Sequence, residues 1–298
     1  MDKAIEEFIS HLKYGRNYSH DTIVDYSADL KNLYNYILSE EIDYLLFDKQ
    51  DAKNYVASLY LKGLSKKSIV RHISTCRTFY KFLLNDEKVK SNPFLVIKTI
   101  KKEKKLPEVL FFEEIDDIIK SMTIKDEYSI RNYAIFILLY SSGIRVSEIS
   151  TLKLKDIDFY NNRFVVHGKG NKMRNAYFDD GTKRVINRYI DEFRSRFKKD
   201  DEYLFIGRRG EALSKTSYRR IVKEVGEEYA STKGIHPHML RHSFATHLLD
   251  NGADIRNVQE LLGHASISAT QIYTHVSTAK LKDEYMNFHP LSKKNKKD

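Results

Sequence analysis

Through its first hundred residues the chain repeats apolar positions at intervals of three and four, the spacing that lines one side of an α-helix. Ile5, Phe8, Ile9 and Leu12 mark a first helix. Ile23, Leu30, Leu33, Tyr34 and Ile37 mark a longer second one, with Ser19 placed to cap it. A third carries Ala52, Tyr55, Val56, Leu59 and Tyr60, punctuated by Asp48 ahead and Gly63 behind. The fourth starts at Ser65 and has two stripes. Ile69, Ile73, Cys76, Tyr80 and Leu83 are apolar, while Lys67, Arg71, Ser74, Thr78 and Lys81 form a separate polar row with Arg77 beside it. The pattern stops at Pro93, and Lys98, Lys101, Lys102, Lys104 and Lys105 crowd a segment with little apolar periodicity before Pro107. An all-helical domain over 1–97, a basic linker over 98–107 and a second domain over 108–298 follow from this.

The second domain changes period partway. Residues 126 to 142 read as a buried helix halted by Gly143, and FFEEI at 111–115 opens another helix without a Ser or Thr cap. RFVVHGKGNKMRNAYF then places strand-like residues on both sides of Gly168, Lys169, Gly170 and Asn171, which predicts a hairpin with Lys169 near its tip. Helical spacing returns with Pro237 at a first turn and Leu240, Phe244, Leu248 and Leu249 on the apolar side. Asp254 caps a further helix holding Ile255, Val258, Leu261 and Leu262, and Gly263 ends it, so His264 emerges at a chain reversal. Leu281, Tyr285 and Phe288, with Met286 adjacent, give a tail helix its own apolar face. The expected fold class is mainly α, with a small antiparallel β-sheet in the second domain.

Composition narrows the partner. Across 298 residues, 51 Lys and Arg stand against 41 Asp and Glu, a net charge of +10. That excess favours a polyanion, nucleic acid before an anionic membrane. No apolar run approaches the roughly 20 residues of a membrane span, and MDKAIEEFISHLKYG carries charge where a signal peptide has an apolar core. A soluble cytoplasmic protein is expected. The single cysteine, Cys76, sits at core spacing and has no partner for an intrachain disulfide.

Several residues then become candidates for DNA contact or chemistry. Lys67, Arg71, Arg77 and Lys81 offer a basic helix face, and Lys101 and Lys102 a basic strap for a phosphate backbone; read alone, both are equally solvated charge. Arg145, just past a buried helix, needs a partner for its charge; Glu148, one turn on, is one. A lysine at a glycine-flanked tip can swing to a ligand, although Met173 after Lys172 rules out a phosphate-binding P-loop. His238 and Arg241 are neighbours on one helix face, and Tyr273 follows His264 closely enough to return to the same pocket. Arg suits phosphate oxygens, His exchanges protons near neutral pH, and a Tyr hydroxyl can become a covalent nucleophile. Six histidines (His236, His238, His242, His247, His264, His275) share this region, but the HExxH pattern is missing, so no metal is expected.

Taken together, SSGIRVSEISTLKLKDID around Arg145, HGKGNK around Lys169, and HPHMLRHSFATHLLDNGADIRNVQELLGHASISATQIYTHV closely resemble the signature of the tyrosine recombinases, the phage integrase family. One N-terminal domain, one catalytic domain and no further DNA-binding domain resemble its Xer type most. The resemblance implies that Tyr273 attacks a DNA phosphodiester to form a 3′-phosphotyrosyl link. It also implies that Arg145, Arg241, His238 and His264 bind the phosphate and move protons, that Lys169 protonates the leaving 5′-oxygen, and that Glu148 supports them. It implies double-stranded DNA as partner, four protomers on two sites (one kind of chain, or two paralogues), a Holliday junction and no cofactor. Resolution of chromosome or plasmid dimers is the expected role; integration or excision of a mobile element uses the same chemistry. A non-catalytic DNA-binding protein and a metal-dependent phosphodiesterase are the rivals from other classes.

Overall fold

The computed structural model describes residues 1–16, 18, 20–98, 108–168, 173–196, 202–230, 234–263 and 278–294. The chain divides into two compact units, Met1–Lys105 and Leu106–Asp298. None of the described helices is long and apolar enough to cross a membrane.

The first unit is built from α1 (Asp2–Ser10), α2 (His20–Ser39), α3 (Lys49–Leu61) and α4 (Lys66–Asn85). Capping follows the sequence expectation: the Asp48 carboxylate accepts the Gln50 and Asp51 amides, and the Ser65 hydroxyl accepts that of Ser68. Ser19 lies outside the described residues. Phe8, Leu30, Leu33, Tyr55, Leu59, Ile69, Cys76, Phe79, Tyr80 and Leu83 form the core. Full burial is worth about 1.5–3 kcal/mol for a side chain such as Phe8 or Leu33. Tyr60 is 45% exposed, because the buried row of α3 runs Ala52, Tyr55, Leu59 and the next residue turns outward.

Polar residues also enter this core. Asp29 on α2 is buried and accepts the Thr75 hydroxyl at 2.9 Å on Oδ2, while His72 Nε2 lies 3.1 Å from Oδ1. Tyr55 Oη is 3.2 Å from the other ring nitrogen of His72. Burial raises the Asp29 pKa to about 6 and lowers that of His72 to about 4, so at neutral pH a neutral His72 lies between carboxylate and phenol. Arg71 supplies the counter-charge, 3.0 Å from Asp29 Oδ1 and 3.2 Å from Asp25 Oδ1. Arg77 donates to the Phe94 carbonyl at 3.2 Å and that of Ile97 at 3.0 Å. Both guanidiniums thus have partners within the unit, with 39% of the Arg71 side chain still exposed, and Lys67 and Lys81 stand exposed.

The second unit contains α5 (Phe112–Ser121), α6 (Glu127–Ser142) and the short α7 (Val146–Ile149). The strands β1 (Ile157–Asp158), β2 (Arg163–His167) and β3 (Met173–Tyr177) come next. They are followed by α8 (Asp180–Glu192), α9 (Lys215–Tyr229), α10 (Pro237–Asp250), α11 (Ile255–Leu262), α12 (Thr278–Phe288) and α13 (Pro290–Lys294). Helix α6 is the centre, with Ala134, Ile135, Phe136, Leu138 and Tyr140 fully buried. The predicted hairpin is β2–β3, antiparallel with Val166 opposite Arg174, and β1 adds a third strand in the order β1-β2-β3. At two residues β1 is too short to carry a periodic signal. At the uncapped start of α5 the Glu114 carboxylate takes the Phe111 amide at 2.8 Å.

Leu249 and Ile255 are exposed at 38% and 58%, contrary to the apolar stripes expected for them. Leu248 already fills the inward position of α10, and Ile255 stands at the first position of α11. The tail helix packs on its own unit: Tyr285 is buried, stacked on Tyr177 at 6.1 Å and Phe244 at 6.5 Å between ring centroids. His247 belongs to the core, 2.9 Å from the Tyr140 hydroxyl and 3.0 Å from the Leu110 carbonyl oxygen.

Candidate active site

Gly143 starts the site. It ends α6 in the left-handed region, φ +60°, and a Cβ there would lie 2.4 Å from the Phe244 ring. Only glycine permits both the turn and this approach. The turn delivers Arg145 to the start of α7, with 35% of its side chain exposed. Glu148, on the first turn of that helix, is all but sealed at 2%.

Helix α10 brings Arg241 to the same place. Pro237 opens the helix and the His236 ring accepts the Met239 amide, which sets Arg241 one turn in on the buried side. Its guanidinium donates to the Gly143 carbonyl and to the Leu262 carbonyl, each at 2.6 Å. Arg145 reaches the same Leu262 oxygen at 3.4 Å and that of Gly263 at 3.5 Å. These are terminal carbonyls of α11, which lack helical partners and carry the negative end of the helix dipole. Two cations from distant parts of the chain thus converge on one helix end. Burial, then repulsion from Arg145, lowers the Arg241 pKa to about 9, still protonated at neutral pH. Described residues use two of its five N–H donors, leaving a phosphate-sized set of donors beside a half-exposed Arg145.

A third arginine, not picked out from the sequence, completes the cluster. Arg174 on β3 pairs with both Glu148 oxygens, at 2.8 and 3.0 Å, and its Nε donates to the Leu261 carbonyl at 2.9 Å. Burial pushes the Glu148 pKa up, but Arg174 and then Arg145 outweigh it, so the net direction is down and the carboxylate stays ionised. Strand phase carried the signal: Arg174 is two residues before the buried Ala176 and opposite the buried Val166, hence on the core-facing side.

His238 lies on α10 with its ring exposed. Partial desolvation and the nearby His236, His242, Arg241 and Arg219 lower its pKa, which keeps the imidazole neutral and ready to accept a proton. Lys169, His264 and Tyr273 lie outside the described residues, as do Lys101 and Lys102. The described part of the site thus brings together Arg145, Glu148, Arg241 and, one turn from Arg241, His238. Lys67 and Lys81 belong to the first unit. Among the described residues, no group of His, Cys, Asp and Glu has the geometry to hold a metal ion.

Gly263 closes α11 at φ +64°, and a Cβ there would lie 3.0 Å from Arg174 Cδ. Gly263→Ala is expected to cost about 1–3 kcal/mol from the left-handed conformation alone, read by denaturant unfolding. The added methyl would also push on Arg174.

Comparison with known proteins gives this site its context. Residues 108–280 match the phage integrase family, and residues 5–87 match the phage integrase N-terminal SAM-like domain. The tyrosine recombinase XerC of Staphylococcus epidermidis is 40% identical over 294 residues, 99% of each chain. XerC of Bacillus pumilus is 40% identical over 294 residues, 97% of this chain and 96% of that one. Among solved structures, a XerA recombinase aligns over 97% of this chain and 99% of its own, with 27% identity and a TM-score of 0.51. XerH bound to its difH substrate, before cleavage, shares the fold at a TM-score of 0.68 and 24% identity, over 94% of this chain and 82% of its own.

A helical first unit, a mainly helical second unit with a three-stranded sheet, and these matches place the chain in the phage integrase family. Within that family it is a Xer-type tyrosine recombinase, an enzyme of site-specific recombination.

Proposed function

We propose that the protein cleaves and rejoins double-stranded DNA at a specific site through Tyr273, and that this resolves chromosome or plasmid dimers in the cytoplasm. The observation that carries the reading is the meeting of Arg145 and Arg241 on the Leu262 carbonyl, at the helix end from which the chain runs on to His264 and Tyr273. Likeness to XerC along nearly the whole chain supports the dimer-resolving role over mobile-element integration.

In this mechanism the two guanidiniums hold the non-bridging oxygens of the scissile phosphate, where negative charge grows as the phosphorus becomes five-coordinate. The Tyr273 oxygen bonds to phosphorus as the bond to the 5′-oxygen breaks. A phenol with an ordinary pKa near 10 is a poor nucleophile at neutral pH. Neutral His238 takes its proton, while His264 hydrogen-bonds the phosphate. Lys169 gives a proton to the departing 5′-oxygen. The 3′-phosphotyrosyl link conserves the energy of the broken bond, so attack by a 5′-hydroxyl of another duplex restores DNA without ATP, and the arginines supply the charge a metal would otherwise bring. Exchange by four protomers on two sites, of this chain alone or with a paralogue, passes through a Holliday junction. Residues 1–97, with Lys67 and Lys81 exposed, and the lysines of 98–107 grip the phosphate backbone.

The test is a nicked suicide duplex carrying a bound target site, analysed by denaturing electrophoresis. A protein–DNA adduct that forms in EDTA is expected; a bound site that yields none overturns the mechanism. The pH dependence has a defined sign. His238 works as the neutral form and its pKa is lowered in the free protein, so single-turnover kcat/KM should fall on acidification with a midpoint below 6.5. His238→Ala should remove that limb; an unchanged limb in the variant would assign it to another group.

A further inference from the structure

We infer that Arg174 is a positioning residue for strand cleavage, locking the Arg145 guanidinium and the end of α11 to the β2–β3 hairpin that bears Lys169. The inference rests on the reading of Arg145 as a phosphate ligand.

The Glu148 carboxylate shows why a second arginine is needed. An ionised carboxylate offers about four lone-pair directions, and all are filled here. Oε2 accepts the Arg145 amide at 2.8 Å and Arg174 Nη2 at 3.0 Å. Oε1 accepts Arg145 Nη1 at 3.1 Å and Arg174 Nη1 at 2.8 Å. With its side chain 2% exposed, Glu148 cannot recruit bulk water in place of a lost partner. Removing Arg174 would strip two bonds and the larger part of the favourable charge from a sealed carboxylate, a change that breaks such pairs outright. Glu148 would then rotate or take up a proton, and Arg145 would lose the acceptor that aims it.

The third bond gives Arg174 a reach that a simple ion pair lacks. Its Nε holds the Leu261 carbonyl, one residue before the carbonyl shared by Arg145 and Arg241. Three guanidiniums therefore serve the last carbonyls of α11, and the Arg174 charge is felt at Arg241. Because Arg174 is anchored in β3 opposite Val166, with its side chain only 13% exposed, it cannot slide to follow its partners. Strand, acid and helix end form one rigid triangle. Lysine in its place offers a single ammonium and loses the planar fork that matches a carboxylate.

Arg174→Met and Arg174→Lys should bind the target duplex nearly as wild type, since Arg174 touches no DNA in this scheme. Adduct formation in single turnover should fall about 100-fold in the Met variant, the usual effect of misplacing a reacting group by about 1 Å. Millimolar guanidinium should partly rescue Arg174→Ala. In a double-mutant cycle, Arg174→Met with Glu148→Gln should be no slower than the slower single variant, since both break one unit. A folded, DNA-binding Met variant with the wild-type cleavage rate overturns the inference, as do defects that multiply in the cycle. If the Met variant does not fold, the Lys variant decides: an undiminished rate there also overturns it. Arg145→Ala separates the underlying reading, because wild-type cleavage in that variant removes the phosphate clamp itself, whatever Arg174 does.

Discussion

Tyr273→Phe is expected to abolish the covalent DNA adduct while leaving affinity for the target duplex unchanged. The substitution removes one oxygen, the atom that bonds to phosphorus, and no neighbouring group in the set offers an equivalent nucleophile. Adduct yield on the suicide duplex should drop below detection, a loss of at least about 10⁴-fold in view of the effect of removing a nucleophile from an activated set. Band-shift titrations beside the same reactions should superimpose on wild type. A persisting adduct would move the nucleophile elsewhere; cleavage without an adduct would favour hydrolysis.

Arg241→Ala is expected to have the next largest effect. Removing one preorganised donor to a developing oxyanion typically costs about 10²–10³ in rate. Arg241 supplies several donors and a charge shielded from water, so about 10³-fold or more should be lost from single-turnover cleavage. Binding should respond differently. One phosphate contact fewer lowers the slope of log affinity against log salt by about 1 and weakens binding without changing sequence preference. The fold should also suffer, because the Gly143 carbonyl loses its 2.6 Å donor and the Leu262 carbonyl keeps only the longer bond from Arg145; about 1–3 kcal/mol is the expected loss for a group left unsatisfied in the interior. Cleavage at the wild-type rate by a folded variant would exclude Arg241 as a phosphate ligand.

The helices were legible in the sequence because their signals are local. Asp48, Ser65 and Asp254 cap within three residues, and Gly143 and Gly263 stop helices by a conformation that other residues resist. Arg145 and Arg241 were visible as motif members, but their meeting point was not. It depends on a carbonyl 117 residues beyond Arg145, and the pattern along a chain does not encode such a distance. Arg174 lies away from the glycine-rich tip that makes the hairpin conspicuous, and its signal is the weaker one of a charged residue in core phase on a strand. The basic row on α4 shows another limit: Arg71 and Arg77 meet acids and carbonyls of their own unit, partners that sequence spacing does not distinguish from an external phosphate. His72 and Thr75 illustrate the same limit, since only tertiary packing around Asp29 makes those polar side chains part of a core.

The solitary thiol has a practical consequence. Cys76 is fully buried in the first unit, and burial raises its pKa well above the ordinary value, so the native chain shows almost no thiolate to a reagent. With one cysteine in 298 residues, any alkylation must report the opening of that helical unit and of nothing else. Evolution has left the recombinase with a built-in clock for the breathing of one domain, readable as the mass that a single thiol alkylation adds.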